Sequence, residues 1–338
     1  MFLKLKKTAT AMTVFGAALL SAGAANAGAI ITNGIVTLGV NDSGDLNVGG
    51  GTPSMTGSTS VVGLRYNANN AEATADGCLC EGWGVGLRSL NIAGYANEST
   101  GSGGFNLVSF TSTASTAVSV VQVGTSMIVT HSYHPSVSGN LYEVDVSVKN
   151  ISGTAFAAGD LVYRRVMDWD IEPTYFNEYV TIKGVPGALG VANGNNVHGT
   201  SDNGFANSNP LSAAGSISCP VNADFTDCGP SDHGALFDFE FEGLANGATR
   251  EFVTYYGAAG NETDAVNALG LVGAGLYSQG QTASDPTTGT PSTFVFGFGG
   301  KDGVLIPPVT GTVPEPGSLA LAGLGMLSLL ALRRRKSN

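Results

Sequence analysis

Residues 141–150 alternate strictly. Tyr142, Val144, Val146 and Val148 fall on one face, and Glu143, Asp145, Ser147 and Lys149 fall on the other. A period of two belongs to a strand with one face in a core and the other in water; a helix would scatter these residues around its circumference. The stretches 106–113, 117–123 and 127–134 precede it as further short strands divided by turn residues. Short strands at this spacing predict an antiparallel sandwich.

The rest of the middle agrees. It is rich in Gly, Ser, Thr, Asn and Val, which favour strands and turns over helices. Glycine makes up 49 of 338 residues but follows no fixed period, so collagen is excluded. Residues 236–242 place Phe237, Phe239 and Phe241 inward and Asp238, Glu240 and Glu242 outward. Residues 250–256 are expected to pair with them across the turn at 243–247. The stretch 160–173 reads as one long strand, with Tyr163, Met167, Trp169 and Ile171 on one face and Arg164, Asp168, Asp170 and Glu172 on the other. One soluble helix is expected at 263–277, capped by Thr263. The fold class is therefore all-β: an antiparallel β-sandwich or supersandwich with one short helix near the end.

Both ends carry targeting features. Lys4, Lys6 and Lys7 precede an apolar run at 8–20, and Ala25-Asn26-Ala27 is a cleavage site, so 1–27 reads as a signal peptide for signal peptidase. At the other end stands Val313-Pro314-Glu315-Pro316. Its prolines fix φ and remove backbone donors, so this motif is extended and cannot join a following helix. Residues 317–332 carry no charge. As a helix they span about 24 Å at 1.5 Å per residue, short of the roughly 30 Å hydrocarbon core, so the expected transmembrane helix is a marginal one. Arg333, Arg334, Arg335 and Lys336 form a basic stop that stays cytoplasmic. The expected organisation is signal peptide 1–27, β-sandwich domain 28–305, linker 306–312 and a terminal signal 313–338.

This order of motif, apolar helix and basic cluster resembles the PEP-CTERM sorting signal. The resemblance implies handling by exosortase, a transpeptidase-like membrane enzyme of Gram-negative bacteria that make exopolysaccharide. It implies cleavage near Pro314-Glu315-Pro316, passage through an inner-membrane-anchored stage, and a final place at the cell surface or in the extracellular matrix. It also implies a structural or adhesive role beside the exopolysaccharide of a biofilm. The segment from Val148 to Ser152 and the strand that follows resemble the bodies of uncharacterised secreted PEP-CTERM proteins. They are also similar to galactose-mutarotase-like supersandwiches, a likeness of fold that implies no chemistry.

Residues 28–316 hold 8 basic and 26 acidic groups, a net charge of −18. Phosphate would be repelled, so nucleic acid is excluded as a partner, while solubility and divalent cations are favoured. Four cysteines in an exported chain, Cys78, Cys80, Cys219 and Cys228, imply two disulfides with three possible connectivities. Their spacing is poor for zinc.

Asp168, Asp170 and Glu172 are the candidate metal ligands, with Ca2+ the candidate ion and no other cofactor expected. The same three could serve as a glycosidase-like acid/base set, which keeps a secreted carbohydrate-active enzyme or a calcium-dependent glycan-binding module as alternatives. The competing expectation is that they pair with Arg164, Arg165 or Lys183 or face water. The acidic turn with Asp42, Asp45 and Asn47 lacks the length of an EF-hand loop and reads as a turn. His131 and His134 fall on opposite faces of one strand and cannot easily share a metal. Ser231-Asp232-His233 is contiguous, which excludes triad geometry. Trp83, Tyr95, Trp169, Tyr175 and Phe176 are either core residues or platforms for sugar rings. No catalytic residue is assigned.

Overall fold

The computed structural model describes residues 28–300. The expected signal peptide, linker and terminal signal lie outside the described residues. Among the described residues no helix is long and apolar enough to cross a membrane.

The chain opens with a small antiparallel sheet of β1 (Ala29–Thr32), β2 (Val36–Val40), β3 (Leu64–Tyr66) and β4 (Ala71–Glu72). Then come β5 (Gly82–Leu87) and β6 (Ile92–Asn97), followed by a meander of β7 (Asn106–Ser112), β8 (Ala117–Val123), β9 (Met127–Pro135) and β10 (Leu141–Asn150). The second half supplies β11 (Leu161–Asp168), β12 (Glu178–Lys183), β13 (Val197–Ser201), β14 (Phe225–Ser231), β15 (Gly234–Glu240) and β16 (Thr249–Ala259). Helix α1 (Glu262–Leu271), β17 (Leu276–Gln281) and β18 (Thr293–Gly300) complete it. Nine strands form one sheet in the order β14-β12-β17-β18-β16-β10-β9-β8-β7, and five form another in the order β13-β15-β11-β5-β6.

The two large sheets face each other through aromatic side chains. Phe237 and Phe239 of β15 meet Phe298 of β18 at ring-centroid distances of 4.7 and 4.8 Å. Tyr163 of β11 meets Phe252 of β16 edge-on at 4.8 Å. Edge and tilted geometries set the positive rim of one ring against the negative face of the next. The alternation of β10 holds: Tyr142, Val144, Val146 and Val148 are buried, while Lys149 is exposed.

Four expectations give way. Residues 250–256 do not pair with 236–242; β16 lies between β10 and β18, and β15 lies between β11 and β13. The chain changes sheets at 243–248, so the two segments end up facing each other across the core. The long strand 160–173 stops at Asp168, because 169–172 leaves for the small sheet, with Asp170 N donating to Ala73 O at 2.8 Å. The face of β11 that carries Arg164 is buried, not wet. The loop at 207–212 folds over it and accepts from the Arg164 guanidinium at Asn207 O, Asn209 O and Ser212 O. The glycines of β5 permit this cover: a side chain at Gly86 would meet Leu211 at 3.2 Å. The helix begins two residues earlier than expected in its cap and ends sooner. Asn261 is the N-cap, accepting from Asp264 N, and Gly273 at φ +68° turns the chain into β17.

Candidate metal centre

The segment after β11 carries the three expected ligands to two different places. Glu172 sits under the loop at 54–56. It accepts from Ser54 Oγ at 2.7 Å, Thr56 N at 2.9 Å, Met55 N at 3.1 Å, Glu72 N at 2.9 Å and the Thr56 hydroxyl. Burial works to raise its pKa, but these donors, Thr56 foremost, outweigh it and hold the carboxyl below its usual range. Its oxygens are fully used as a fastener between loop and segment, so Glu172 leaves the expected ligand set.

Asp168 and Asp170 go elsewhere, and the structure adds Asp232. One carboxylate oxygen from each of Asp168, Asp170 and Asp232 lies within 4.8 Å of the others. The ladder of β11 with β15 explains the meeting: Asp168 stands opposite Gly234, so the next same-face residue, Asp170, is directed toward Asp232. Asp168 and Asp170 are buried and Asp232 is exposed.

These buried oxygens have few donors. Neither oxygen of Asp170 has a hydrogen-bond partner of good geometry, nor has Oδ1 of Asp168. Oδ2 of Asp168 touches Cys78 Sγ at 3.3 Å, but that sulfur is in a disulfide and has no proton to give. Burial and the neighbouring Asp170 push Asp168 well above the usual carboxylate range. Burial, with Asp232 and Asp76, pushes Asp170 up to about 7, against a smaller opposing effect of the Gly77 amide. Two more carboxyls share the field. Burial raises Asp76 to about 6, and burial with Asp170 raises Glu178 to about 9. Each has one buried oxygen without a hydrogen-bond partner, Asp76 Oδ2 and Glu178 Oε2. Among the described residues no Lys or Arg forms an ion pair with any of the five.

Two of the three expected cationic partners are occupied by other acids, and the third, Lys183, is half-buried at the end of β12 and pairs with neither Asp168 nor Asp170. Arg164 holds Asp238 at 2.7 Å, and Arg165 holds Glu81 at 2.7 Å. The carboxylates at 168 and 170 therefore neither face water nor make the salt bridges expected of them.

Other clusters are already satisfied. Asp202 accepts from Ile217 N, Ser218 N and Cys219 N at 2.8 to 2.9 Å and contacts His233 Nδ1 at 3.3 Å. Cys219 beside it is bonded to Cys228 and offers no thiolate. The cysteines thus pair locally, Cys78 with Cys80 and Cys219 with Cys228. His134 contacts Asp145 across the β9–β10 pair on a half-buried surface. His131 is buried beside Trp83 and bonds Tyr163 OH at 3.0 Å; burial, with Arg165 nearby, pulls its pKa well down. In the 41–47 turn Asp45 is buried under bonds from Ser43 and Asn41, and burial raises it to about 7. His233 turns from Asp232's neighbour Ser231 toward Asp202, so the contiguous Ser-Asp-His forms no triad.

Trp83 and Trp169 are core residues at 0% exposure. Tyr175 and Phe176 form an edge-on pair at 5.0 Å, with Phe176 41% exposed. A side chain at Gly77 would meet the Phe176 ring at 2.5 Å and the Asp170 oxygens at 2.7 and 2.8 Å. The aromatic pair therefore borders the carboxylates. A surface concavity of about 570 Å3, lined by Tyr66, Asn140, Asp264 and Asn267 among others, lies against α1 and shares no residue with them.

Sequence comparison bears on the far end of the chain. Residues 312–336 match the PEP-CTERM protein-sorting motif. No curated protein matches the chain.

Proposed function

From an exported, exosortase-processed chain, we propose a structural or adhesive protein of the extracellular exopolysaccharide matrix of a biofilm. The sorting motif at 312–336 carries this reading, because exosortase handling directs a protein outward past the inner membrane. Two features of the sandwich support it. Strand β7 is the free edge of the nine-stranded sheet and exposes Leu107 and Val108. No Asp, Glu, Lys or Arg lies between Glu98 and Glu143, so this edge lacks the charges that usually guard against strand addition. An otherwise acidic molecule thus keeps one neutral border suited to assembly.

A glycan contact is the second reading, favoured by the exposed Phe176 beside Tyr175, since a sugar ring stacks on such a face. Enzymatic hydrolysis is less well supported, since Asp168 and Asp170 are both buried.

The test is fractionation of a polysaccharide-producing host. The wild-type protein is expected in the matrix fraction, with a mass beginning at Gly28 and ending near Glu315. The Pro314→Ala/Glu315→Ala/Pro316→Ala variant is expected to stay with the cell membrane. Recovery of the wild type as free protein, with flocculation and matrix yield unchanged when the gene is removed, would refute the matrix role.

A further inference from the structure

We propose that Asp168, Asp170 and Asp232 bind a divalent cation, Ca2+, in a field reinforced by Asp76 and Glu178. The proposal stands on side-chain geometry within the sandwich and does not depend on the matrix reading.

Distance comes first. Oxygens bound to one Ca2+ at about 2.3–2.6 Å lie at most about 5 Å apart. The three carboxylates each offer an oxygen within 4.8 Å of the others, which is the span an ion between them requires. Satisfaction comes second. Both oxygens of Asp170, at 0% exposure, and Oδ1 of Asp168, at 1%, have no hydrogen-bond partner of good geometry, the Gly77 amide near Asp170 included. Buried polar atoms in folded proteins are almost always partnered, and a buried charge is paired or coordinates a metal. Here the protein supplies neither an Arg nor a backbone nest, whereas it supplies several backbone N–H donors to Glu172 and to Asp202.

A proton shared by Asp168 and Asp170 is the competing way to neutralise them. It removes one charge from a group of five carboxyls and gives a donor to one oxygen. A divalent cation removes two charges and gives every unpartnered oxygen near it a bond. Donor type then selects the ion. All the available ligands are oxygens, because the adjacent sulfurs of Cys78 and Cys80 are bonded to each other. An all-oxygen set suits Ca2+, Mg2+ or Mn2+ and not Zn2+ or Cu+. Carboxylates converging from separate segments of chain suit the flexible coordination of Ca2+ better than the strict octahedron of Mg2+.

The ion has a way in. Asp232 is exposed, and Gly77 and Phe176 at the rim are exposed as well. Gly77 matters here as a close approach: any side chain would reach the Asp170 oxygens, so only glycine leaves the space beside them clear. The site also joins three parts of the fold. Asp168 ends β11, Asp232 stands between β14 and β15, and Asp170 lies on the segment bonded to Ala73 of the loop after β4. Occupancy would tie the five-stranded sheet to the small sheet.

The experiment is calorimetric titration of the chelator-treated secreted protein with CaCl2, beside thermal melting with and without Ca2+. One ion per chain is expected, with a dissociation constant of roughly 10−4–10−3 M, the range of extracellular calcium modules. Melting temperature should rise with Ca2+. Asp170→Asn should abolish that rise, and without Ca2+ it should melt no lower than the wild type, because it relieves the repulsion. Asp232→Asn, at an exposed position that folding tolerates, should weaken binding at least tenfold by the loss of a charged ligand. No heat and no melting shift up to about 10 mM CaCl2 would overturn the site, being well beyond that affinity range. So would a calcium response that persists undiminished in both variants.

Discussion

Glu81→Gln tests the centre of the sandwich. Glu81 and Arg165 form an ion pair at 2.7 Å with both side chains at 0% exposure. Glu81 also accepts from Leu46 N at 2.7 Å and Tyr256 OH at 2.6 Å. Arg165 contacts Tyr133 OH at 3.2 Å and lies 5.2 Å from the centre of the Tyr256 ring. Glutamine keeps the shape but has one acceptor oxygen where Glu81 uses two, Oε2 for Leu46 N and Oε1 for Tyr256 OH, so one of these donors also loses its acceptor. The guanidinium loses its counter-charge and cannot shed its proton, because an arginine in a protein stays charged. Breaking a buried pair by removing one partner costs about 3–5 kcal/mol. These two contacts and that of Arg165 with Tyr163 OH at 3.5 Å place the expected loss near the lower end, about 3 kcal/mol, since they retain some stabilisation of the cation. In a sandwich of this size that lowers Tm by roughly 6–12 °C. Urea unfolding followed by the fluorescence of Trp83 and Trp169, both buried, would report it. The loss should be flat from pH 5 to pH 8, because Arg165 does not titrate there. Adding Arg165→Met should recover most of the loss by removing the stranded charge. The reasoning fails if Glu81→Gln lies within about 1 kcal/mol of the wild type, or if the double variant is less stable than the single one.

Two further outcomes follow from the geometry. Asp202 is held well below the usual carboxylate range despite its burial, by His233 and the backbone N–H groups of 217–219. A depressed folded pKa contributes stability that is present above the unfolded value and lost as pH falls through the folded one. The gap in urea midpoint between wild type and Asp202→Asn should therefore be full at neutral pH and narrow in acid; a gap that widens in acid would contradict the assignment. Asn261→Ala should cost about 1 kcal/mol by removing the cap on α1, measured by thermal melting, with no change in the calcium response.

The sequence displayed the wet-faced strands well and the doubly covered ones badly. β10 alternates because one face meets the core and the other meets solvent, and period two registers that contrast. The Phe237-Phe239-Phe241 run alternates as well, but in β15 the opposite face is covered too, with Glu240 buried and Asp238 half-buried against Arg164. β11 alternates too, yet both its faces are buried, since a loop some forty residues downstream folds over Arg164. Local pattern cannot report a cover supplied by distant chain. The same limit governs the site. Asp168 and Asp170 were readable as same-face carboxylates, whereas Asp232, Asp76 and Glu178 join them only through pairing of β11 with β15 and the crossing to the small sheet. A signal for Asp232 did exist: antiparallel pairing of 161–168 with 234–240 sets Asp170 against it. The expected hairpin of 236–242 with 250–256 masked that register.

The scarcity of cations explains why this carboxylate cluster differs from the other buried acids. The body holds 8 basic groups, and Arg65, Arg88, Arg164 and Arg165 are each committed to a structural acid. Lys149 is exposed on β10 and Arg250 lies over Phe241. The other basic side chain among the described residues, Lys183, is half-buried at the end of β12 and forms no ion pair with Asp168 or Asp170, so in the proposed site the counter-charge comes from solvent. Calcium at the weak affinity expected for such a site would fill it only where the ion is abundant, which is outside the cell. Export and occupancy are then linked. On the proposed site, the sorting motif would take the chain to the compartment where Ca2+ relieves the repulsion between its buried carboxylates and fastens the sheets they join.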